Sequence, residues 1–138
     1  MRVQWALLTR YAEQRNGLYT MVGAGIDAFY PQGLPTLIQA FLVVQFRFGT
    51  EEVGATPELE FVVRDEQTQV VGEPVPVTID PLRLNANHPP GYQGGIGLCG
   101  PFGVPVETAG AYSLNIVVEG ALGWDLPFRV AEPGTPHE

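Results

Sequence analysis

Large apolar residues alternate with polar residues or prolines along several stretches of the chain. The alternation is clearest in residues 59–64 (LEFVVR), 112–116 (YSLNI) and 124–130 (WDLPFRV). A period of two places successive side chains on opposite faces of a β-strand, so that one face meets a core and the other meets water. The pattern therefore predicts half-buried strands in all three stretches.

Shorter apolar runs predict additional strands, and turn-forming residues separate them. These runs comprise residues 3–8, 18–22, 37–48 and 75–79, with weaker candidates at 70–71 and 103–106. Segments rich in Gly, Pro, Asn and Asp lie between the runs. About seven to nine short strands at this spacing predict an all-β fold, namely a single antiparallel β-sandwich of the immunoglobulin-like type.

One segment near the start allows a second interpretation. Leu7, Leu8, Tyr11 and Ala12 have the spacing of a helical face. Against a helix, the alternation that begins at Val3 continues through this segment, and Asn16-Gly17 has the composition of a hairpin turn. Strands are therefore favoured here, with a short helical turn as the alternative.

The longest strand candidate, residues 37–48, is apolar on both of its faces. One face carries Ala40, Leu42, Val44, Phe46 and Phe48, and the other carries Gln39, Phe41, Val43, Gln45 and Arg47. Phe41 and Val43 are too apolar for a face in water, so this strand is either covered on both sides or part of an interface. We favour a homo-oligomeric contact through Phe41, Val43 and Arg47 over a covering segment.

The composition fits a globular chain rich in turns. With 138 residues, the chain can bury a sizeable core without disulfides or metals. Its 45% hydrophobic and 16% charged residues exclude general disorder, and its 17 glycines and 13 prolines argue against a helical bundle. We expect one domain over residues 1–130 and a flexible tail over residues 131–138.

The charge excludes several classes of partner. The chain has 15 acidic and 7 basic residues, a formal charge of -8, and its basic residues are scattered arginines. Nucleic acids and anionic membranes are bound by clustered basic charge, so neither is expected as a partner. The lone Cys99 cannot form an intramolecular disulfide, and the first residues lack the apolar stretch of a signal peptide. The sequence predicts a cytoplasmic protein.

Residues 85–103 depart most from the alternating pattern. This stretch contains six glycines and three prolines together with His88, Tyr92 and Cys99. Long loops in small domains often carry function. We therefore take His88, Tyr92 and Cys99 as candidate binding residues of a loop. The alternative is an extended connection across the sheets, in which the glycines allow close packing.

Candidate catalytic and cofactor-binding groups are few. Ser113 is the only serine and lies mid-strand, and only His88 and His137 can act as bases near neutral pH. Two histidines and one cysteine do not supply a usual zinc site. Residues 23–28 fit the G-x-G-x-x-A dinucleotide pattern, but the prolines that follow prevent the helix that this motif needs. The sequence predicts no catalytic residue, cofactor or metal.

Three functional hypotheses follow from the residues. The favoured one is a non-catalytic binding or assembly module, acting through self-association or a protein partner. The second is a small-molecule-binding β-sandwich or barrel with an aromatic pocket lined by Trp5, Tyr19, Phe29, Tyr30 and Trp124. The third is an enzyme that uses Cys99 or a pair of carboxylates, and a Cys99–His88 dyad is one form of it.

Motifs at both ends of the chain resemble a family of small bacterial β-rich proteins. The similarity begins in residues 6–25, which correspond to an opening L-L-x-x-Y-A segment and a following glycine- and tyrosine-containing motif. It continues in residues 110–116 (G-x-Y-x-L-x-I) and 126–130 (L-P-F-x-V). The chain departs at Thr9-Arg10, where members often have Cys and Asp, so no acidic residue is carried over there. The resemblance implies a β-rich domain of unknown function over the whole chain.

Overall fold

Ten β-strands form most of the computed structural model, which describes residues 1–85 and 87–137. In chain order the strands are β1 (Arg2–Thr9), β2 (Tyr11–Arg15), β3 (Leu18–Val22), β4 (Ala28–Phe29), β5 (Thr36–Phe48), β6 (Glu58–Arg64), β7 (Val70–Thr78), β8 (Gly94–Val106), β9 (Gly110–Val118) and β10 (Ala121–Val130). The described residues contain one 3-10 helix, Thr50–Glu52, and no α-helix. The all-β prediction is confirmed.

The region that allowed a helical turn is extended instead. Residues 7–15 belong to β1 and β2, and β2 forms a hairpin with β3. At the turn, Asn16 and Gly17 have φ values of 51° and 76°, as a tight hairpin of this type requires. The structure has more strands than the seven to nine expected from the sequence, because β2 and β4 are too short to show a clear period.

The strands pair into two larger sheets and the β2–β3 hairpin. One sheet has the order β1-β5-β8, and the other has the order β4-β10-β9-β6-β7. All pairs are antiparallel except β4 with β10, which is parallel. The described part of the chain has no helix with the length and apolar character needed to span a membrane.

A single apolar core connects the two larger sheets. Leu8, Val44 and Phe46 of the three-stranded sheet and Leu114 and Ile116 of the five-stranded sheet are fully buried in it. They occupy alternate positions of their strands, so the inward faces of the sheets meet through side chains of period two. The alternation that predicted the strands is therefore the pattern that builds the core.

Aromatic rings fill one end of this core. Phe128 is 1% exposed and stacks on Tyr112, with ring centroids 5.6 Å apart. Its ring also meets Phe29 and Phe102 edge-on at 5.6 and 6.2 Å. The Tyr112 hydroxyl donates a hydrogen bond of 2.6 Å to the carbonyl of Thr108. Because these rings come from β4, β8, β9 and β10, the cluster joins both sheets.

The β2–β3 hairpin covers the outer face of β5. Val43 is fully buried although it points away from the main core, and Ala12 of the hairpin is buried with it. Phe41 is half-buried and meets the ring of Tyr11 edge-on at 5.3 Å. Of the two explanations for this apolar face, the structure contains the covering segment. Val43 itself has no exposed surface. A homo-oligomeric contact through the half-buried Phe41 and Arg47 stays a prediction.

The glycine-rich stretch is a strand over much of its length. Residues 94–103 belong to β8 and pair without interruption with β5. The loop therefore does not include them, and the alternative of an extended segment whose glycines allow close packing applies there. The glycines hide the alternation because they carry no side chain, yet they make room for neighbours. A Cβ on Gly97 would lie 1.5 Å from the Tyr19 hydroxyl oxygen. Ala86 of the expected loop and Glu138 of the expected tail lie outside the described residues.

Candidate functional site

An apolar cleft opens between the free edges of β7 and β8. Each of these strands ends its sheet, so the space between the sheets reaches the surface there. The cleft has a volume of about 300 Å³. We define it by the side chains that line it most directly: Phe61, Val63, Val71, Val75, Val77, Leu98, Phe102 and Val104. Of the described residues that line this apolar cleft, only Glu73 carries a formal charge.

Prolines stand on both strands that border the apolar cleft. β7 contains Pro74 and Pro76, and β8 contains Pro101 and Pro105. Proline has no N–H to donate to a ladder and is tolerated on sheet edges for that reason. It also discourages the addition of a further strand. The borders of the cleft are therefore poor templates for main-chain pairing, while its interior offers apolar contact.

A polar groove lies on the outer side of the three-stranded sheet. Its volume is about 660 Å³, and Arg47 and His88 both line it. The other prominent side chains of this polar groove are Gln4, Trp5, Gln14, Gln45, Asn85 and Gln93. None of the described residues that line it is acidic. The structure thus brings together Arg47 and His88, which the sequence assigned to two different candidate sites.

Cys99 is separated from the other residues of the expected loop. It lies mid-strand in β8, in register with Val43. His88, by contrast, donates a 2.7 Å hydrogen bond from Nε2 to the carbonyl of Tyr92. Tyr92 itself is 67% exposed. Cys99 borders the apolar cleft and His88 the polar groove, so the structure does not assemble a Cys99–His88 dyad.

The surroundings of Cys99 disfavour its thiolate. Burial raises the pKa of the Cys99 thiol, and the nearby carboxylate of Glu13 raises it further. Because the thiolate is the nucleophile, a raised pKa makes the side chain less reactive near neutral pH. The described residues also contain no group of three His, Cys, Asp or Glu side chains that could hold a metal ion.

We expect Cys99 to react with iodoacetamide more slowly near neutral pH than the same residue in the unfolded chain. The rate should still be rising at alkaline pH values where a free thiol has reached its plateau, because the pKa is raised. The Glu13→Gln variant should shift this profile to lower pH, whereas Glu132→Gln should not. Alkylation faster than that of the unfolded chain would contradict the expectation.

The aromatic residues that the sequence grouped into one pocket lie in different places. Trp5 meets Tyr19 edge-on at 5.6 Å and borders the polar groove. Phe29 and Tyr30 line a separate cavity beside Arg10. Trp124 packs against the core. The residues of the apolar cleft were missed, although the prolines at its borders were a signal that two edge strands were present.

The chain matches a known protein family over nearly its whole length. Residues 4–131 match the model of DUF6941, a family of unknown function. No curated protein matches the sequence. The resemblance to a domain of unknown function is confirmed by this match.

Proposed function

The chain belongs to the DUF6941 family, whose function is unknown, and from its geometry we propose that it is a non-catalytic binding module for a small apolar molecule. The ligand occupies the apolar cleft between β7 and β8. The observation that carries this proposal is a cavity of about 300 Å³ whose walls come from the apolar faces of both sheets. That volume is at the lower end of the usual range for small-molecule sites.

The prolines of the two edges favour a small molecule over an added peptide strand. A peptide that extends a sheet is held mainly by main-chain hydrogen bonds to the free edge. Pro101 and Pro105 interrupt the donors of β8, and Pro74 and Pro76 interrupt those of β7. A compact apolar ligand needs no such donors, because removal of its surface from water drives its binding.

The groups around the apolar cleft support binding rather than catalysis. Glu73 and Cys99 are the titratable residues among those that line it. The raised pKa of the Cys99 thiol keeps this group protonated near neutral pH. A nucleophile is activated by a base that takes its proton or by a lowered pKa. The pKa of Cys99 is raised instead, and the nearby Glu13 carboxylate contributes to the increase.

The arrangement of the sheets supports the immunoglobulin-like β-sandwich as the fold type. The core lies between two mainly antiparallel sheets, and the Tyr112 hydroxyl bonds the carbonyl of Thr108, four residues upstream. A tyrosine at a sheet corner that bonds back to the upstream backbone is a feature of that fold. In such domains, the space between two free edges is where a core comes closest to solvent.

The proposal can be tested with N-phenyl-1-naphthylamine, a neutral apolar dye whose fluorescence increases in apolar surroundings. We expect saturable binding to the unmodified chain. The Val75→Glu variant should weaken it about tenfold or more, because a hydrated carboxylate then stands at the cleft where the dye would otherwise contact an apolar side chain, and dye binding removes part of that hydration.

Val70→Glu is the matched control for this experiment. Val70 lies on the same strand, β7, and is 45% exposed where Val75 is 53% exposed, but it does not line the cleft. The Val70→Glu variant should therefore bind the dye as tightly as the unmodified chain does. Absence of saturable binding, or equal loss in the two variants, would overturn the proposed function.

A further inference from the structure

We propose that the polar groove is a second binding site, and that its ligand is a saccharide that carries a carboxylate. The groove combines the half-buried Arg47, several side-chain amides and an indole ring. None of the described residues that line the groove is acidic, so none of them would repel an anionic ligand.

The internal hydrogen bonds of the groove leave donors facing outward. The Arg47 Nε donates to Oε1 of Gln4 at 2.8 Å, and the Arg2 Nη2 donates to Oε1 of Gln93 at 2.9 Å. Since a guanidinium can only donate, each of these amides must present its oxygen to the arginine. These two hydrogen bonds do not use the NH₂ groups of the amides, which remain potential donors to a ligand. The groove is consequently rich in donors, which suits a ligand rich in acceptor oxygens.

Glycines of β8 allow these polar side chains to lie against the sheet. A Cβ on Gly95 would lie 2.6 Å from Nη1 of Arg47 and 2.9 Å from Nε2 of Gln45. Gln45 is fixed from its other side by the Tyr19 hydroxyl, which donates to its Oε1 at 2.9 Å. Side chains held in this way lose little freedom when a ligand arrives, so less binding free energy is spent on ordering them.

The three types of group match three parts of an acidic sugar. Arg47 supplies a planar, permanently charged partner for a carboxylate. The amides of Gln4 and Gln93 donate to hydroxyl and ring oxygens. Trp5 is half-buried and borders the groove, and it offers an apolar surface to the C–H face of a sugar ring. A simple inorganic anion would use only the first of these groups.

The test uses an oligomer of galacturonic acid as the probe and the full chain in the Trp124→Phe background, where Trp5 is the only tryptophan. We expect saturable binding by calorimetry, together with a change in Trp5 fluorescence. The Arg47→Gln variant should weaken binding about tenfold, since it removes a charge-assisted contact.

Two controls separate this proposal from weaker explanations. Arg129→Gln removes an exposed arginine from β10, on the other sheet, and should leave binding unchanged. The thermal unfolding midpoint of each variant shows whether it remains folded. Three results would each overturn the proposal: the galacturonic acid oligomer does not bind, a neutral glucose oligomer binds equally well, or sulfate at equal concentration competes with the galacturonic acid oligomer. The dye experiment on the apolar cleft is independent of all three outcomes.

Discussion

Replacing Phe128 by alanine should lower the free energy of unfolding by about 3–5 kcal/mol. Phe128 is 1% exposed, and its ring contacts Tyr112, Phe29 and Phe102. Truncation removes the transfer free energy of the ring and leaves a cavity between elements of both sheets, where neighbouring strands cannot easily collapse. Because small domains are stable by only about 5–15 kcal/mol, this single change should remove a large part of the total.

Urea denaturation followed by circular dichroism measures this effect. The midpoint should fall while the slope stays constant, as expected when stability changes and the extent of unfolding does not. Leu122→Ala is the surface control, since Leu122 is 64% exposed, and it should change stability by less than about 0.5 kcal/mol. A loss of less than about 1 kcal/mol for Phe128→Ala would contradict the assigned role of the aromatic cluster.

The Gly97→Ala variant should lose about 1–3 kcal/mol of stability and should also self-associate. The added Cβ would lie 1.5 Å from the Tyr19 hydroxyl oxygen and 3.0 Å from Nε2 of Gln14. Tyr19 must then give up its hydrogen bond to Gln45 and its contact with Trp5. The hairpin loses its anchor, and the apolar face that contains Val43 becomes exposed.

Gly100→Ala is the matched control for this second prediction. Gly100 lies on the same strand, and a Cβ there meets no atom within 4 Å. The free energy of unfolding of the Gly100→Ala variant should stay within about 0.5 kcal/mol of the value for the unmodified chain. Light scattering over a dilution series gives the mass of each variant. If Gly97→Ala keeps both the stability and the mass of the unmodified chain, the hairpin is not held by Tyr19.

Strands with one buried face and one more accessible face were predictable from the sequence. β9 and β10 alternate between more buried and more accessible positions, so the period of two was visible without any knowledge of their neighbours. β8 was not visible in this way, because its glycines carry no hydrophobic signal. Its extended form follows from pairing with β5 along thirteen residues, which is a tertiary property.

The candidate sites depend even more on tertiary pairing. Arg47 and Gly95 are neighbours only because the antiparallel register of β5 and β8 places them opposite each other. The same register sets Cys99 beside Val43. No local motif encodes such a register, so the sequence, which named Arg47 and His88 as candidates of two different sites, could not place them in one groove. It also could not decide what covers Phe41 and Val43, since the covering hairpin has only five residues in each strand.

The parallel pairing of β4 with β10 has a consequence for folding during synthesis on the ribosome. It joins residues 28–29 to residues 129–130, so β4 cannot pair before β10 has been synthesised. In the same way, β6 cannot pair with β9 until β9 has been synthesised. Translation releases the N-terminal strands first. β1 and β5 can pair early, but the strands that cover their inner faces are among the last to emerge. The apolar inner face of β1 and β5 is therefore not fully covered until β9 and β10 have been synthesised.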